Sequence, residues 1–141
     1  MSPRITIVDD DAHTLFFVRR IINEAMPEAE MVCFNSPRQA FEYICKIGSD
    51  LLITDHGMGE MSGTELIAQL RAKGMSLPVI MISSDTSTQA EALAAGACEF
   101  LSKGELNKLP GLISSRLAQS QPVSQADSRN ITQLFKAASA G

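Results

Sequence analysis

The stretch Ile5-Thr6-Ile7-Val8-Asp9-Asp10-Asp11 decides the fold, because a short and largely apolar run leads directly into three aspartates. A run of this length with little polar alternation is typical of a strand that is covered on both faces. Apolar residues at helical spacing follow over residues 15–25, and Pro27 ends that pattern. The sequence therefore predicts a strand, a loop rich in carboxylates and a helix, in that order.

The same order recurs along the chain. Further apolar runs lie at residues 31–34, 51–54, 79–82 and 99–101. Ser36-Pro37 reads as a helix cap followed by a first helical residue, and Ser62 with Glu65 and Thr88 with Glu91 fit capping boxes. A last helix is predicted to begin near Glu105. The helix-stop signals are Gly48, Gly74 and Gly96. Five alternations of strand and helix predict right-handed crossovers and a doubly wound α/β sheet with helices on both faces.

Polar residues follow four of the predicted strands. Asp9 and Asp10 end the first, Asp55 ends the third, Ser83 ends the fourth and Lys103 follows the fifth. Each of these residues alone also suits a turn, a helix cap or a solvated loop. Because parallel strands bring their carboxyl ends to one edge, where such sheets bind ligands, we expect the five side chains to lie close together.

Crowded carboxylates at that edge require positive charge. At about 4 Å and an effective dielectric near 20, each pair of carboxylates costs about 4 kcal/mol. Lys103 supplies one positive charge, and a magnesium ion bound by the oxygen ligands of Asp9 and Asp10 would supply two more. The arrangement predicts magnesium-assisted phosphoryl transfer, with Asp55 as the nucleophile and with Lys103 and Ser83 binding the transferred oxygens.

Residues 4–118 closely resemble the receiver domain of bacterial two-component response regulators, in particular the chemotaxis-type receivers. The resemblance rests on residues 5–11, 51–55, 59–63, 78–84 and 95–103. It implies a flavodoxin-like sheet of five strands in the order 2-1-3-4-5 with five helices. It also implies that Asp55 is the phosphoacceptor, that Asp9 and Asp10 are the acidic pair, and that Asp10, Asp55 and the Gly57 carbonyl ligate Mg²⁺.

The resemblance further implies how a signal would leave the site. Ser83 takes the position of the switch hydroxyl, Phe100 that of the switch aromatic, and Lys103 that of the family's lysine. The implied phosphodonor is a histidine kinase or a phosphotransfer protein, and the implied output is a homodimer, a bound partner or an effector domain. The domain would catalyse only its own phosphorylation and dephosphorylation, and is otherwise not an enzyme.

Four positions depart from the pattern of the resembled family. Gly59 and Gly104 stand where the family usually has proline, so both loops gain backbone freedom, and Lys103 is expected to sit differently. Ser84 replaces a smaller residue and narrows phosphoryl access. His56, next to the acceptor, is expected to be an exposed loop residue.

Three other functions compete with this interpretation. A phosphatase of the haloacid dehalogenase type would use Asp9 as its nucleophile, but the chain has no later acidic pair at a strand end and no cap insertion. A flavodoxin would have a phosphate loop after the first strand in place of the aspartates. A receiver-like binding module that no longer accepts phosphate remains open, because both prolines are absent.

Composition limits the remaining classes of function. The chain has 141 residues, 45% of them hydrophobic, and a formal net charge of −4. This charge and the lack of a basic stripe predict that the domain does not bind nucleic acid directly. Three scattered cysteines among apolar residues predict reduced core thiols, and no run is long enough to span a membrane, so we expect a cytoplasmic protein.

The composition changes near the carboxyl end of the chain. The polar stretch 120–141 predicts a tail or linker after a receiver domain at residues 1–119. Ile131, Leu134 and Phe135 in this stretch fit one short helix over residues 130–138.

Overall fold

The computed structural model describes residues 2–120 as five strands alternating with five helices. The strands are β1 (Arg4–Val8), β2 (Glu30–Phe34), β3 (Leu51–Asp55), β4 (Val79–Ser83) and β5 (Glu99–Ser102). The helices are α1 (Ala12–Ala25), α2 (Pro37–Lys46), α3 (Gly63–Ala72), α4 (Gln89–Ala95) and α5 (Leu109–Ser120). The predicted helix over residues 130–138 lies outside the described residues.

The five strands form one parallel sheet in the order β2-β1-β3-β4-β5, which confirms the doubly wound, flavodoxin-like fold. The register aligns the carboxyl ends of neighbouring strands. Val8 pairs with Thr54, Asp55 pairs with Ile82, and Ser83 pairs with Ser102. This alignment carries the residues that follow each strand to the same edge of the sheet.

Helices cover both faces of the sheet, so successive strand residues are buried on opposite sides. On β4, Met81 belongs to the core cluster that contains Ala40 of α2, Leu66 of α3 and Ala92 of α4. The neighbouring Ile80 belongs to the second cluster, with residues of α1 and α5. Members of the second cluster from these two helices are Val18, Ile22, Leu109, Ile113 and Leu117.

The predicted helix starts at Ser36 and Ser62 are confirmed, and the one at Thr88 is wrong in its detail. Ser62 and Glu65 form the predicted capping box at the start of α3. The Thr88 side chain makes no cap hydrogen bond to α4. Its hydroxyl instead donates to the Asp85 carbonyl at 2.8 Å, because Thr86–Thr88 form a short 3₁₀ turn that Asp85 caps.

The last helix also begins later than the sequence predicts. Lys103–Lys108 form 3₁₀ turns interrupted at Glu105, whose φ of −118° is not helical, and α5 begins only at Leu109. Ser102 caps this segment, since its hydroxyl accepts the Gly104 N–H at 3.2 Å. A proline in place of Gly104 could not donate this hydrogen bond.

Arg71 joins the ends of α3 and α4 to the start of β4. Its guanidinium donates to the carbonyls of Met75, Leu77 and Gly96 at 3.0, 2.8 and 2.7 Å. Gly96 ends α4 with a φ of +120°, a conformation that residues with a Cβ rarely adopt. The carboxyl end of α4 is therefore held by a hydrogen bond from Arg71 of α3.

The cysteine prediction is only partly correct. Cys33 and Cys98 are partly buried free thiols, but Cys45 is exposed. The reason lies in the geometry of α2, where the preceding residue, Ile44, is fully buried and Cys45 falls on the outer side. Among residues 2–120, none of the helices has the length and hydrophobicity needed to cross a membrane.

Candidate functional site

The carboxyl edge of the sheet brings together the charged residues that the sequence singled out. Asp9 and Asp10 follow β1, Asp55 is the last residue of β3, and Lys103 follows β5. Carboxylate oxygens of Asp9, Asp10 and Asp55 all lie within 4.8 Å of one another. Asp9 and Asp55 are buried, whereas Asp10 is exposed. The cluster thus has two buried carboxylates and one that faces solvent.

Three close carboxylates form a donor set that fits a divalent cation. Their oxygens are hard ligands of the type Mg²⁺ prefers, and the solvent-facing side leaves room for waters or phosphate oxygens. The Asp9 carboxylate is also held in place, since it accepts the Asp11 N–H at 2.8 Å. We therefore consider the edge of the sheet a candidate magnesium centre.

Lys103 lies between the two buried carboxylates. Its Nζ is 3.5 Å from Asp9 Oδ2 and 3.4 Å from Asp55 Oδ1. Burial acts to lower the pKa of Lys103, but attraction to Asp55 and Asp9 outweighs it and the pKa is raised. The amine is therefore held positively charged, and Gly104 in place of proline does not remove it from the site.

Burial raises the pKa of both covered carboxylates. The pKa of Asp9 rises to about 6, because burial and the nearby Asp55 charge outweigh the Asp11 N–H bond and the attraction of Lys103. Burial also raises the pKa of Asp55, against the opposing attraction of Lys103. The environment of Asp9 and Asp55 thus disfavours the ionised forms of both carboxylates.

Asp9→Asn is expected to stabilise the metal-free protein at pH 7.5 by about 1–3 kcal/mol. An aspartate whose folded-state pKa lies above its unfolded-state value destabilises the fold once pH exceeds the unfolded value. The gain should therefore shrink as pH falls from 7.5 to 4.5, where folded wild-type Asp9 is protonated. Urea unfolding in EDTA at both pH values measures this difference. A variant that is no more stable than wild type at pH 7.5 would contradict the assignment, and exposed Asp10→Asn should give a smaller gain.

Ser83 is the last residue of β4 and Phe100 lies within β5, and the contacts of both side chains are with residues outside the charged cluster. The Ser83 hydroxyl accepts the Asp85 N–H at 3.0 Å and lies 3.4 Å from the Asp85 carbonyl. Phe100 is partly buried and packs against the core cluster shared by α2, α3 and α4. Both residues therefore have contacts that a rearrangement would have to exchange.

His56 differs from its sequence prediction. It is only partly exposed, and its Nε2 is buried with no hydrogen-bond partner among the described residues, 3.8 Å from Glu91 Oε2. Glu91 belongs to α4, so the surroundings of His56 include a residue 35 positions away along the chain, which a local view of the loop could not predict. Gly57 and Ser84 are exposed, as loop residues beside an open site should be.

Sequence reasoning gave no role to Gly63, which lies directly against the acceptor. A Cβ at Gly63 would be 2.2 Å from the Asp55 carbonyl oxygen and 2.9 Å from Met81 Cε. The Gly63 N–H donates to the His56 carbonyl at 2.8 Å, and the Thr54 hydroxyl donates to the Asp55 carbonyl at 2.9 Å. The start of α3 is thus packed against the backbone that carries Asp55.

Comparison with known proteins identifies the family. The family model for the response regulator receiver domain matches residues 5–113. The cyclic di-GMP phosphodiesterase response regulator RpfG of Xanthomonas campestris is 34% identical over 104 residues, which are 70% of this chain and 27% of that protein. A protein-glutamate methylesterase/protein-glutamine glutaminase of Thiobacillus denitrificans is 33% identical over 118 residues, 80% of this chain and 33% of that protein. The chain spans about a third or less of the length of these two relatives.

Solved structures agree on the fold. The receiver domain of the Francisella response regulator 1452 has a TM-score of 0.78 at 21% identity and covers 85% of this chain and 100% of that one. A CheY-like receiver domain from Methanospirillum hungatei has a TM-score of 0.77 at 23% identity and covers 85% and 97%. The order of the strands, the acidic edge and the match over residues 5–113 lead to one conclusion. The chain belongs to the response regulator receiver domain family of two-component signalling.

Proposed function

We propose that this chain accepts a phosphoryl group on Asp55 from a histidine kinase or a phosphotransfer protein. The observation that carries the proposal is the convergence of Asp9, Asp10, Asp55 and Lys103 at one edge of the sheet. Two buried carboxylates beside an amine are costly in a purely structural protein. They are suited to a reaction in which negative charge arrives at Asp55.

The transfer makes one bond and breaks one. A carboxylate oxygen of Asp55 bonds to the phosphorus, and the bond from phosphorus to the donor breaks, with its electron pair leaving on the donor. The product is an acyl phosphate on Asp55. Lys103 lies 3.4 Å from Asp55 Oδ1, where its charge can stabilise the phosphoryl oxygens in the transition state.

The cofactor we propose is Mg²⁺, held by Asp9, Asp10 and Asp55 together with the Gly57 carbonyl. When bound, it neutralises charge on the phosphoryl oxygens and orients them for in-line transfer. The Asp11 N–H keeps the Asp9 carboxylate in one orientation. Exposed Asp10 and Gly57 leave the outer side of the site accessible to the donor.

The signal would arise from Ser83 and Phe100. The Ser83 hydroxyl would exchange its contacts with Asp85 for a bond to the phosphoryl group, worth about 1.5–3 kcal/mol when charge-assisted. A shift in the ratio of two conformations from 1:99 to 99:1 requires about 5.5 kcal/mol of differential stabilisation. The bonds of Ser83 and Lys103 to the phosphoryl group would together contribute an energy of this order. Inward rotation of Phe100 would then change the surface of α4, β5 and α5.

The domain assignment and the cellular setting belong to the same proposal. Residues 1–119 act as the phosphoacceptor domain, and residues 120–141 form a polar tail or linker. The protein is cytoplasmic, does not bind nucleic acid or membrane through this domain, and passes its signal to a partner, a second copy or an effector domain. It catalyses only its own phosphorylation and dephosphorylation.

Acetyl phosphate and Mg²⁺ test the proposal without a kinase. We expect the wild-type protein to gain the mass of one phosphoryl group, and borohydride trapping followed by peptide mapping to locate it at Asp55. EDTA should abolish the adduct, because the metal-free carboxylates repel the phosphoryl oxygens. A protein that gains no adduct at saturating Mg²⁺ would instead be a receiver-like binding module that works without phosphate.

A further inference from the structure

Two glycines give the loop between β3 and α3 unusual freedom. This loop, residues 56–62, directly follows Asp55 and contains Gly57, whose carbonyl is a ligand in the proposed Mg²⁺ site. Apart from the adjoining residues of the chain, no atom of the described residues lies within 4 Å of a Cβ built on Gly57 or on Gly59, and both residues are exposed. Backbone freedom at these positions would let the Gly57 carbonyl occupy several positions unless other contacts restrain the loop.

The structure contains restraints on both sides of the glycines. Met58 and Met61 are buried in the core cluster of α2, α3 and α4. The His56 carbonyl accepts the Gly63 N–H at 2.8 Å. Between the two methionines, the turn at Gly59 and Glu60 is held from outside the loop.

That outside contact comes from Ser36. Its hydroxyl donates to Glu60 Oε1 at 2.8 Å and also accepts the Gln39 N–H at 3.3 Å as the cap of α2. Ser36 follows β2, whose last residue, Phe34, accepts the Asp9 N–H at 3.1 Å. Because β1 lies between β2 and β3, the contact spans the end of β1, where the acidic pair begins.

We propose that Glu60 is a positioning residue, which through its hydrogen bond to Ser36 holds the loop that presents the Gly57 carbonyl to Mg²⁺. The inference rests on the proposed function of the site. Glu60 is not a further metal ligand, since the group of clustered carboxylates in the described part of the chain contains only Asp9, Asp10 and Asp55. Its contribution is the restraint on the backbone.

Three variants separate the hydrogen bond from the charge. Glu60→Ala removes both, whereas Glu60→Gln keeps an oxygen that can accept the Ser36 hydroxyl. Glu28→Ala removes one exposed negative charge just before β2, at the opposite edge of the sheet. We expect Glu60→Ala to weaken Mg²⁺ binding by about threefold to tenfold, the range of one hydrogen bond, and the other two variants to stay within about twofold of wild type.

A fourth variant replaces the hydrogen bond by a stiffer backbone. Gly59 has open space around its Cβ position, and its N–H makes no hydrogen bond among the described residues. Gly59→Pro in the Glu60→Ala background should therefore restore most of the lost Mg²⁺ affinity by fixing φ. A merely structural role of Glu60 would not predict this rescue.

The experiment is an NMR titration of each variant with MgCl₂ alone, together with the ¹⁵N order parameter of Gly57. In metal-free Glu60→Ala the order parameter should fall toward the flexible range, below about 0.6, and recover in the proline double variant. Equal order and equal affinity in wild type and Glu60→Ala would overturn the inference but leave the proposed function standing. If Glu60→Gln bound Mg²⁺ as weakly as Glu60→Ala, the inference would also be overturned, because the negative charge of Glu60 and not its hydrogen bond would then account for the effect. A wild-type protein that binds no Mg²⁺ would overturn both.

Discussion

Asp55→Asn is expected to abolish the phosphoryl adduct formed with acetyl phosphate and Mg²⁺. The amide has nearly the shape of the carboxylate but lacks the nucleophilic oxygen, so the acyl phosphate cannot form. Loss of the Asp55 carboxylate also leaves Lys103 with one carboxylate partner in place of two. Intact mass after incubation measures the adduct directly, in parallel with wild type.

The melting temperature of the same variant tests whether the adduct is lost only because the variant is misfolded. Burial raises the pKa of Asp55, so at neutral pH the ionised carboxylate destabilises the fold. Metal-free Asp55→Asn should melt at a higher temperature than wild type. An adduct that persists in this variant would place the acceptor elsewhere, and a lower melting temperature would show that the amide disrupts the site.

Gly63→Ala is expected to destabilise the protein by about 2–4 kcal/mol, although alanine normally favours a helix. The new Cβ would stand 2.2 Å from the Asp55 carbonyl oxygen, and the backbone there cannot move away as the end of a flexible side chain could. Either α3 or β3 must shift, and β3 carries Asp55. Urea unfolding at constant m-value measures the loss.

A second glycine in the same region provides the control. Gly59→Ala introduces the same methyl group at a position where no atom of the described residues, apart from the chain neighbours, lies within 4 Å, so the free energy of unfolding should change by less than about 1 kcal/mol. Gly63→Ala should also lower phosphoryl uptake at Asp55 more than Gly59→Ala does. Equal stabilities of the two variants would mean that α3 is not packed tightly against the acceptor strand.

The sequence predicted the fold because its signals were local and repeated. Each strand is a short apolar run bounded by a turn, and Ser36 and Ser62 begin helices where their patterns indicated. The charged site followed from topology alone, since parallel strands deliver Asp9, Asp55 and Lys103 to one edge. The order of the strands came from the family resemblance and is the order observed.

The missed features depend on contacts between distant segments. The pair Thr88 and Glu91 fits a capping box, but an alternative hydrogen bond to Asp85 is available and the structure uses it. The Ser36–Glu60 hydrogen bond joins residues 24 positions apart, which no spacing rule identifies. In the sequence, Gly63 is an ordinary first residue of a helix, and its role depends on the Asp55 carbonyl, which only the folded chain brings beside it.

The contacts of Arg71 limit how α4 can move. Its guanidinium holds the Gly96 carbonyl at the carboxyl end of α4, while Thr88 at the other end makes no side-chain cap bond. A sideways translation of the whole helix would break the Arg71 contact, whereas a tilt about Gly96 would leave it intact. The Arg71 contact therefore favours a hinge at the carboxyl end of α4, so that any displacement of the helix would be greatest at its amino end, which follows Ser83 and Asp85 in the chain.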